Sequence, residues 1–62
     1  MEDALALFSE MYKLHHSIEI CIAELKRKGF TQVDTIKVLM EVISVNVVQA
    51  DEIVHNSVAW TN

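Results

Sequence analysis

Apolar residues recur along positions 3–28 at the spacing of a single helix face. With successive residues turned by about 100°, Ala4, Leu7, Phe8, Met11, Leu14, Ile18, Cys21, Ile22 and Leu25 form one stripe. Ser9, Glu10, Lys13, His16, Ser17, Glu24 and Arg27 fall outside it. The phase does not slip, so the pattern predicts one continuous helix of about 25 residues, roughly 37 Å long at about 1.5 Å per residue. Asp3 can cap its start. Lys26, Arg27 and Lys28 suit the negative end of the helix dipole, and Gly29 follows as the expected left-handed C′ residue. Two other readings stay open. One is a break near His15-His16-Ser17. The other is a short strand at Ser17–Ile22, whose residues also alternate and could pair with residues 42–48.

A second helix is predicted over about 32–44. Thr31 can cap it, with Asp34 three residues on in a capping-box-like arrangement. Val33, Ile36, Leu39, Met40 and Ile43 make its main stripe, and Val38 and Val42 widen the apolar surface. Only Asp34, Lys37 and Glu41 form a wet edge, which marks this helix as the central one. Residues 42–48, VISVNVV, alternate like a half-buried strand, with five β-branched residues in seven. Asn46 is nevertheless a favoured N-cap and Gln49 stands three residues later. The stretch therefore reads as the end of one helix, a joint, and the start of a third helix over about 47–58. In that helix Val47, Ala50, Ile53, Val54, Ser57 and Val58 recur at helical spacing. The expected architecture is an all-α single domain over residues 1–62: a long N-terminal helix (about 3–28) plus a helical hairpin, forming a three-helix bundle.

Composition sharpens this picture. Proline is absent and Gly29 is the only glycine, which fits helices with tight turns. The apolar share is 52%. A chain this short buries only about 60% of its unfolded surface, so some of the apolar surface is expected to lie against another chain. Cys21 is the single cysteine, which rules out an intramolecular disulfide and suits a reducing, cytoplasmic compartment. The net charge of −4 argues against nucleic-acid binding, which normally calls for a basic face. No apolar run approaches the ~20 residues of a membrane span, and Met1-Glu2-Asp3 is acidic where a signal peptide would be basic.

The segment Asp34-Thr35-Ile36-Lys37-Val38-Leu39-Met40-Glu41-Val42, then a joint, then Gln49-Ala50-Asp51-Glu52-Ile53-Val54, resembles the helical hairpin of the bacterial ribosomal stalk protein's C-terminal domain. It is also similar to the ubiquitin-associated-like N-terminal domain of elongation factor Ts. Small uncharacterised bacterial proteins share the hairpin, some with a pattern like His55, Ser57 and Trp60. The resemblance covers about 25 residues and implies a helical hairpin that binds proteins. Lys37 matches a position where the stalk domain meets translation factors. Those families carry glycines in the joint, where this chain has Ser44-Val45-Asn46-Val47.

No motif specifies a chemistry. His15 and His16 point about 100° apart on a helix, which does not favour joint chelation, and zinc takes three or four ligands. Cys21 lies within the apolar stripe and reads as a buried thiol. Phosphate-loop, dinucleotide and EF-hand patterns are absent. The chain is therefore expected to be no enzyme, to hold no cofactor or metal, and to act by binding another protein, one with a basic surface. Helices two and three are about half as long as helix one, so half of the first stripe would lack a cover within the chain. That predicts a homodimer through Leu7, Phe8, Met11 and Leu14. Trp60 is a further anchor, and Lys37 a contact in the translation-linked alternative. A separate N-terminal helix folded back over the bundle, giving four short helices, is the competing reading.

Overall fold

The computed structural model describes residues 2–61. It contains four helices: α1 (Glu2–His15), α2 (Ile18–Arg27), α3 (Gln32–Val42) and α4 (Val47–His55). The described residues contain no strand, so neither Ser17–Ile22 nor the VISVNVV stretch pairs as a ribbon.

The long first helix does not form. α1 ends at His15, and His16 takes a left-handed backbone with φ 53°. Its N–H still reaches the Tyr12 carbonyl at 2.8 Å, so the last turn of α1 closes before the chain swings away. Ser17 then caps α2 from extended backbone (φ −133°, ψ 120°), its hydroxyl accepting from Ile20 N–H at 3.3 Å. The cause of the break is local competition. A serine oxygen satisfies a backbone donor that a continuing helix would satisfy with a carbonyl, and histidine is among the residues that tolerate the left-handed region. Apolar burial favours the same outcome. A straight helix of roughly 37 Å would overshoot a molecule whose largest extent is 25 Å. Broken at His16, the two halves of the stripe instead pack against each other.

The α2–α3 turn is made as its sequence suggests. Gly29 has φ 96°. Its N–H bonds the Lys26 carbonyl at 3.0 Å, and Phe30 N–H bonds the Leu25 carbonyl at 3.0 Å. This is the Schellman pairing, which satisfies the last carbonyls of α2 and brings Phe30 back over Leu25. Both expected capping boxes form. Thr31 Oγ1 accepts from Asp34 N–H while Thr31 N–H donates to Asp34 Oδ2, each at 3.1 Å. Asn46 Oδ1 accepts from Gln49 N–H at 2.8 Å, and Asn46 N–H donates to Gln49 Oε1 at 3.1 Å. Between them, Ile43 closes α3 and Ser44 turns the chain at φ 57°. The glycine-free joint thus places a serine at its left-handed position.

Four helices share the core. Ala4 and Phe8 from α1, Cys21, Ile22 and Leu25 from α2, Val38 and Leu39 from α3, and Ala50 and Val54 from α4 are fully enclosed. α3 packs against each of the other three helices, the central place expected of it. Its inward face differs from the expected stripe, however. Thr35, Val38 and Leu39 are buried, while Val33 is 59% and Met40 38% exposed. Thr35 enters the core because its hydroxyl is satisfied by the Thr31 carbonyl at 2.9 Å, which removes most of the cost of burying it.

Past α4 the chain does not remain helical to residue 58. Asn56 caps α4, and residues 57–61 form a further turn in which Trp60 and Thr61 N–H groups donate to the Ser57 carbonyl at 3.1 and 3.0 Å.

Candidate binding surface

The residues expected to anchor a partner are scattered. Phe8 is wholly enclosed in the chain's own core. Leu7 and Met11 are half-buried against that core, and only Leu14, 64% exposed, faces outward. The stripe that suggested a homodimer through α1 is therefore covered at Phe8 and partly covered at Leu7 and Met11, leaving Leu14 as its exposed member. α1 folds back over α2 and α3, and contact at Phe8 would require α1 to lift away. Trp60 is half-buried and packed on the core from the C-terminal turn. Lys37 is exposed on α3, one turn from Val33 on one side and from Met40 on the other.

Further exposed apolar side chains are spread over the fold: Tyr12 (40%) on α1, Ile20 (40%) on α2, and four on the hairpin. On the α3–α4 hairpin they are Val33, Met40, Val47 (56% exposed) and Val48 (65% exposed). Val47 and Val48 open α4 directly after the Asn46 cap, where the chain has just turned. Val58, beyond α4, is also exposed. A nearly all-round apolar helix such as α3 has two possible inward stripes. The Thr35-Val38-Leu39-Val42 spacing was equally available, and only the packing partners choose between them.

Two open grooves flank the hairpin. One, of about 540 Å³, runs between the start of α2 and α4 past Glu19, Val45, Gln49, Glu52 and Ile53. Its Glu19 carboxylate is already engaged: Oε1 accepts from Ser57 Oγ at 2.9 Å and from Val58 N–H at 3.1 Å. Glu19 thereby ties the C-terminal turn to the first turn of α2. The other groove, of about 560 Å³, lies between the end of α2, the start of α3 and the C-terminal turn, past Lys26, Phe30, Gln32, Val33 and Trp60. Lys26 Nζ sits 4.8 Å from the Trp60 ring centroid and donates to the Ala59 carbonyl. The Trp60 indole N–H is buried with no acceptor among the described residues. Neither link was visible in the sequence, since Glu19–Ser57 and Lys26–Ala59 join residues far apart along the chain.

The titratable groups serve the fold. Burial pushes the Cys21 thiol up, keeping it protonated, and its Sγ–H points at the Phe8 carbonyl, 3.5 Å away. The Asp34 carboxyl is held low by Thr31, through the backbone N–H and then the hydroxyl. Glu24 is held low by its hydrogen bonds with Arg27, at 2.7 and 3.1 Å. His55 Nδ1 lies 3.0 Å from Asp51 Oδ1 on the exposed side of α4. Among the described residues, no group of three or more His, Cys, Asp or Glu side chains is placed to hold a metal ion. No helix among the described residues is long and apolar enough to cross a membrane.

The fold and its surface define a compact four-helix unit with an apolar, partly exposed hairpin. No protein-family model matches the chain, no curated protein matches it, and no solved structure matches it.

Proposed function

We propose that the chain is a non-enzymatic protein-binding module, of the inhibitor, immunity or adaptor kind, working from its α3–α4 hairpin. The observation that carries this reading is the exposure of Val33, Met40, Val47 and Val48 on two adjacent helices whose inner faces are already packed. Exposed apolar side chains grouped in this way mark a surface that a partner can remove from water. The excess of acids, nine against five bases, steers a partner with a basic surface towards the module. The stripe that suggested a homodimer through α1 is covered at Phe8 and partly at Leu7 and Met11, so binding is assigned to the hairpin instead.

A second reading is favoured by one residue. Lys37 is exposed between Val33 and Met40, the position at which the resemblance to the stalk-protein hairpin implies contact with a translation factor. A photo-crosslinking amino acid placed singly at Met40, Val48 and Glu10 tests both readings in living cells. The hairpin positions are expected to give a discrete adduct and Glu10 on α1 none. Adducts of equal yield at all three sites, or none at the hairpin, refute the module. A ribosomal protein or GTPase in the adduct selects the translation-linked reading.

A further inference from the structure

The groove at the end of α2 combines features that the rest of the surface lacks. Three of the chain's five bases stand together as Lys26-Arg27-Lys28. Arg27 is paired with Glu24, whereas Lys26 and Lys28 form no ion pair among the described residues. Lys26 is also held in place, over the Trp60 ring and on the Ala59 carbonyl, so little of its freedom remains to be lost on binding. Ammonium groups have three donors, and two of those on Lys26 are left for a ligand. The start of α3 opens on the same groove, with its N-terminal end already capped by the Asp34 carboxylate. Phe30, Val33 and Trp60 supply apolar walls, with Val33 59% exposed.

We propose that this groove binds an acidic peptide segment of a partner protein, with one bulky apolar side chain against Val33 and Phe30 and a carboxylate on Lys26, Lys28 lying outside the groove lining and adding only its nearby charge. The proposal rests on the protein-binding reading and adds to it one acidic segment on a partner whose wider surface is basic. The overall charge of −4 does not prevent this. Charges farther away than about 8 Å are largely screened at physiological salt, so the cations of the corner decide the local encounter. A nucleic acid fits less well. Two unpaired lysines neutralise few phosphates, and the phosphate contacts supply most of the affinity in that class.

Trp60 is the only tryptophan and lines the groove, so its fluorescence reports occupancy directly. The probe is a synthetic peptide of about ten residues, with a central phenylalanine flanked by aspartates and glutamates. A saturable change in Trp60 emission is expected with Kd on the order of 10–100 μM, the weak range for a small contact area. Binding should weaken as NaCl is raised from about 50 to 300 mM. Val33→Glu alters an exposed side chain and adds a repelling charge, and is expected to weaken binding at least about tenfold. Lys26→Glu should do the same, and Lys13→Glu on α1 should leave Kd within about twofold. The Val33 variant guards against a folding artefact in the Lys26 variant, with circular dichroism checking both. Equal or tighter binding of a lysine-substituted peptide or of an oligothymidylate overturns the proposal, as does unchanged binding in Val33→Glu. Loss of the acidic-peptide signal alongside a discrete Val48 adduct overturns the groove and leaves the module standing.

Discussion

Phe8→Ala separates the folded-back α1 from an α1 that serves as an interface. In this structure Phe8 is completely enclosed, between helices of its own chain. Truncating an enclosed phenylalanine removes its transfer free energy and leaves a cavity, together costing about 3–5 kcal/mol. A domain of this length has a total stability of roughly 3–9 kcal/mol, at about 0.05–0.15 kcal/mol per residue. The variant should therefore lose between a third and all of its stability, and be largely unfolded at 25 °C if the wild type lies near the lower bound. Urea unfolding followed by far-UV circular dichroism measures this. Leu14→Ala, at a side chain 64% exposed, is the matched control and should cost under about 0.5 kcal/mol.

The competing account makes a different forecast. If Phe8 sat in a dimer interface and the monomer folded without it, Phe8→Ala would dissociate the dimer. Wild-type stability would then rise with protein concentration by mass action, while the variant would show a folded, concentration-independent monomer. A Phe8→Ala midpoint within about 1 kcal/mol of wild type, with helical content retained, would refute the packing described here.

Gly29→Ala should destabilise by about 1–2 kcal/mol through backbone strain alone, because φ is 96° and a Cβ there would meet nothing within 4 Å. Ser44→Gly, at φ 57°, should do the reverse, gaining up to about 1 kcal/mol once glycine's extra unfolded-state freedom is subtracted; thermal melts of both check the signs. Cys21 should react with a thiol reagent at pH 8 only as fast as the fold opens, since burial raises its pKa, and a rate matching that of the urea-unfolded chain would contradict this. Asp34 has a depressed folded pKa, so its contribution is present above its unfolded pKa and lost as pH falls through the folded value. Asp34→Asn should accordingly shrink the difference in urea midpoint between pH 7 and pH 3, and an undiminished difference would show that the capping box does not carry it.

The legible parts of the fold were those fixed by neighbours in sequence. The Thr31–Asp34 and Asn46–Gln49 boxes and the Gly29 turn each involve residues within a few positions of one another, and all three form as read. The same rule explains how VISVNVV resolved into a joint, because the Asn46 cap outweighs the alternation around it. The break at His16-Ser17 was harder to read. An apolar stripe that keeps its phase is equally compatible with one helix and with two helices that fold onto each other, since folding back mates the two halves of the same stripe. The decision lies in tertiary burial, which periodicity does not encode. The candidate site was the least legible part, because the Lys26–Trp60 and Glu19–Ser57 contacts depend on where the C-terminal turn lands.

These two misreadings, of α1 and of α3, compensate each other. A high apolar share in a short chain demands apolar surface somewhere, and the long-helix reading placed it on Leu7, Phe8 and Met11. Folding α1 back encloses Phe8 and covers much of Leu7 and Met11. α1 then occupies one side of α3, and α3 presents Thr35, Val38 and Leu39 to its neighbours, leaving Val33 and Met40 outside. Exposed apolar surface is therefore shared out rather than removed: Leu14 and Tyr12 keep some on α1, and the hairpin gains Val33 and Met40. Lys37 lies within the new patch, and Val33 belongs both to that patch and to the groove of Lys26 and Trp60. A partner gripping the hairpin and an acidic segment lying in the groove would thus meet at a single side chain. That makes Val33→Glu the substitution to which both proposed contacts are most sensitive, at a position where the core is untouched.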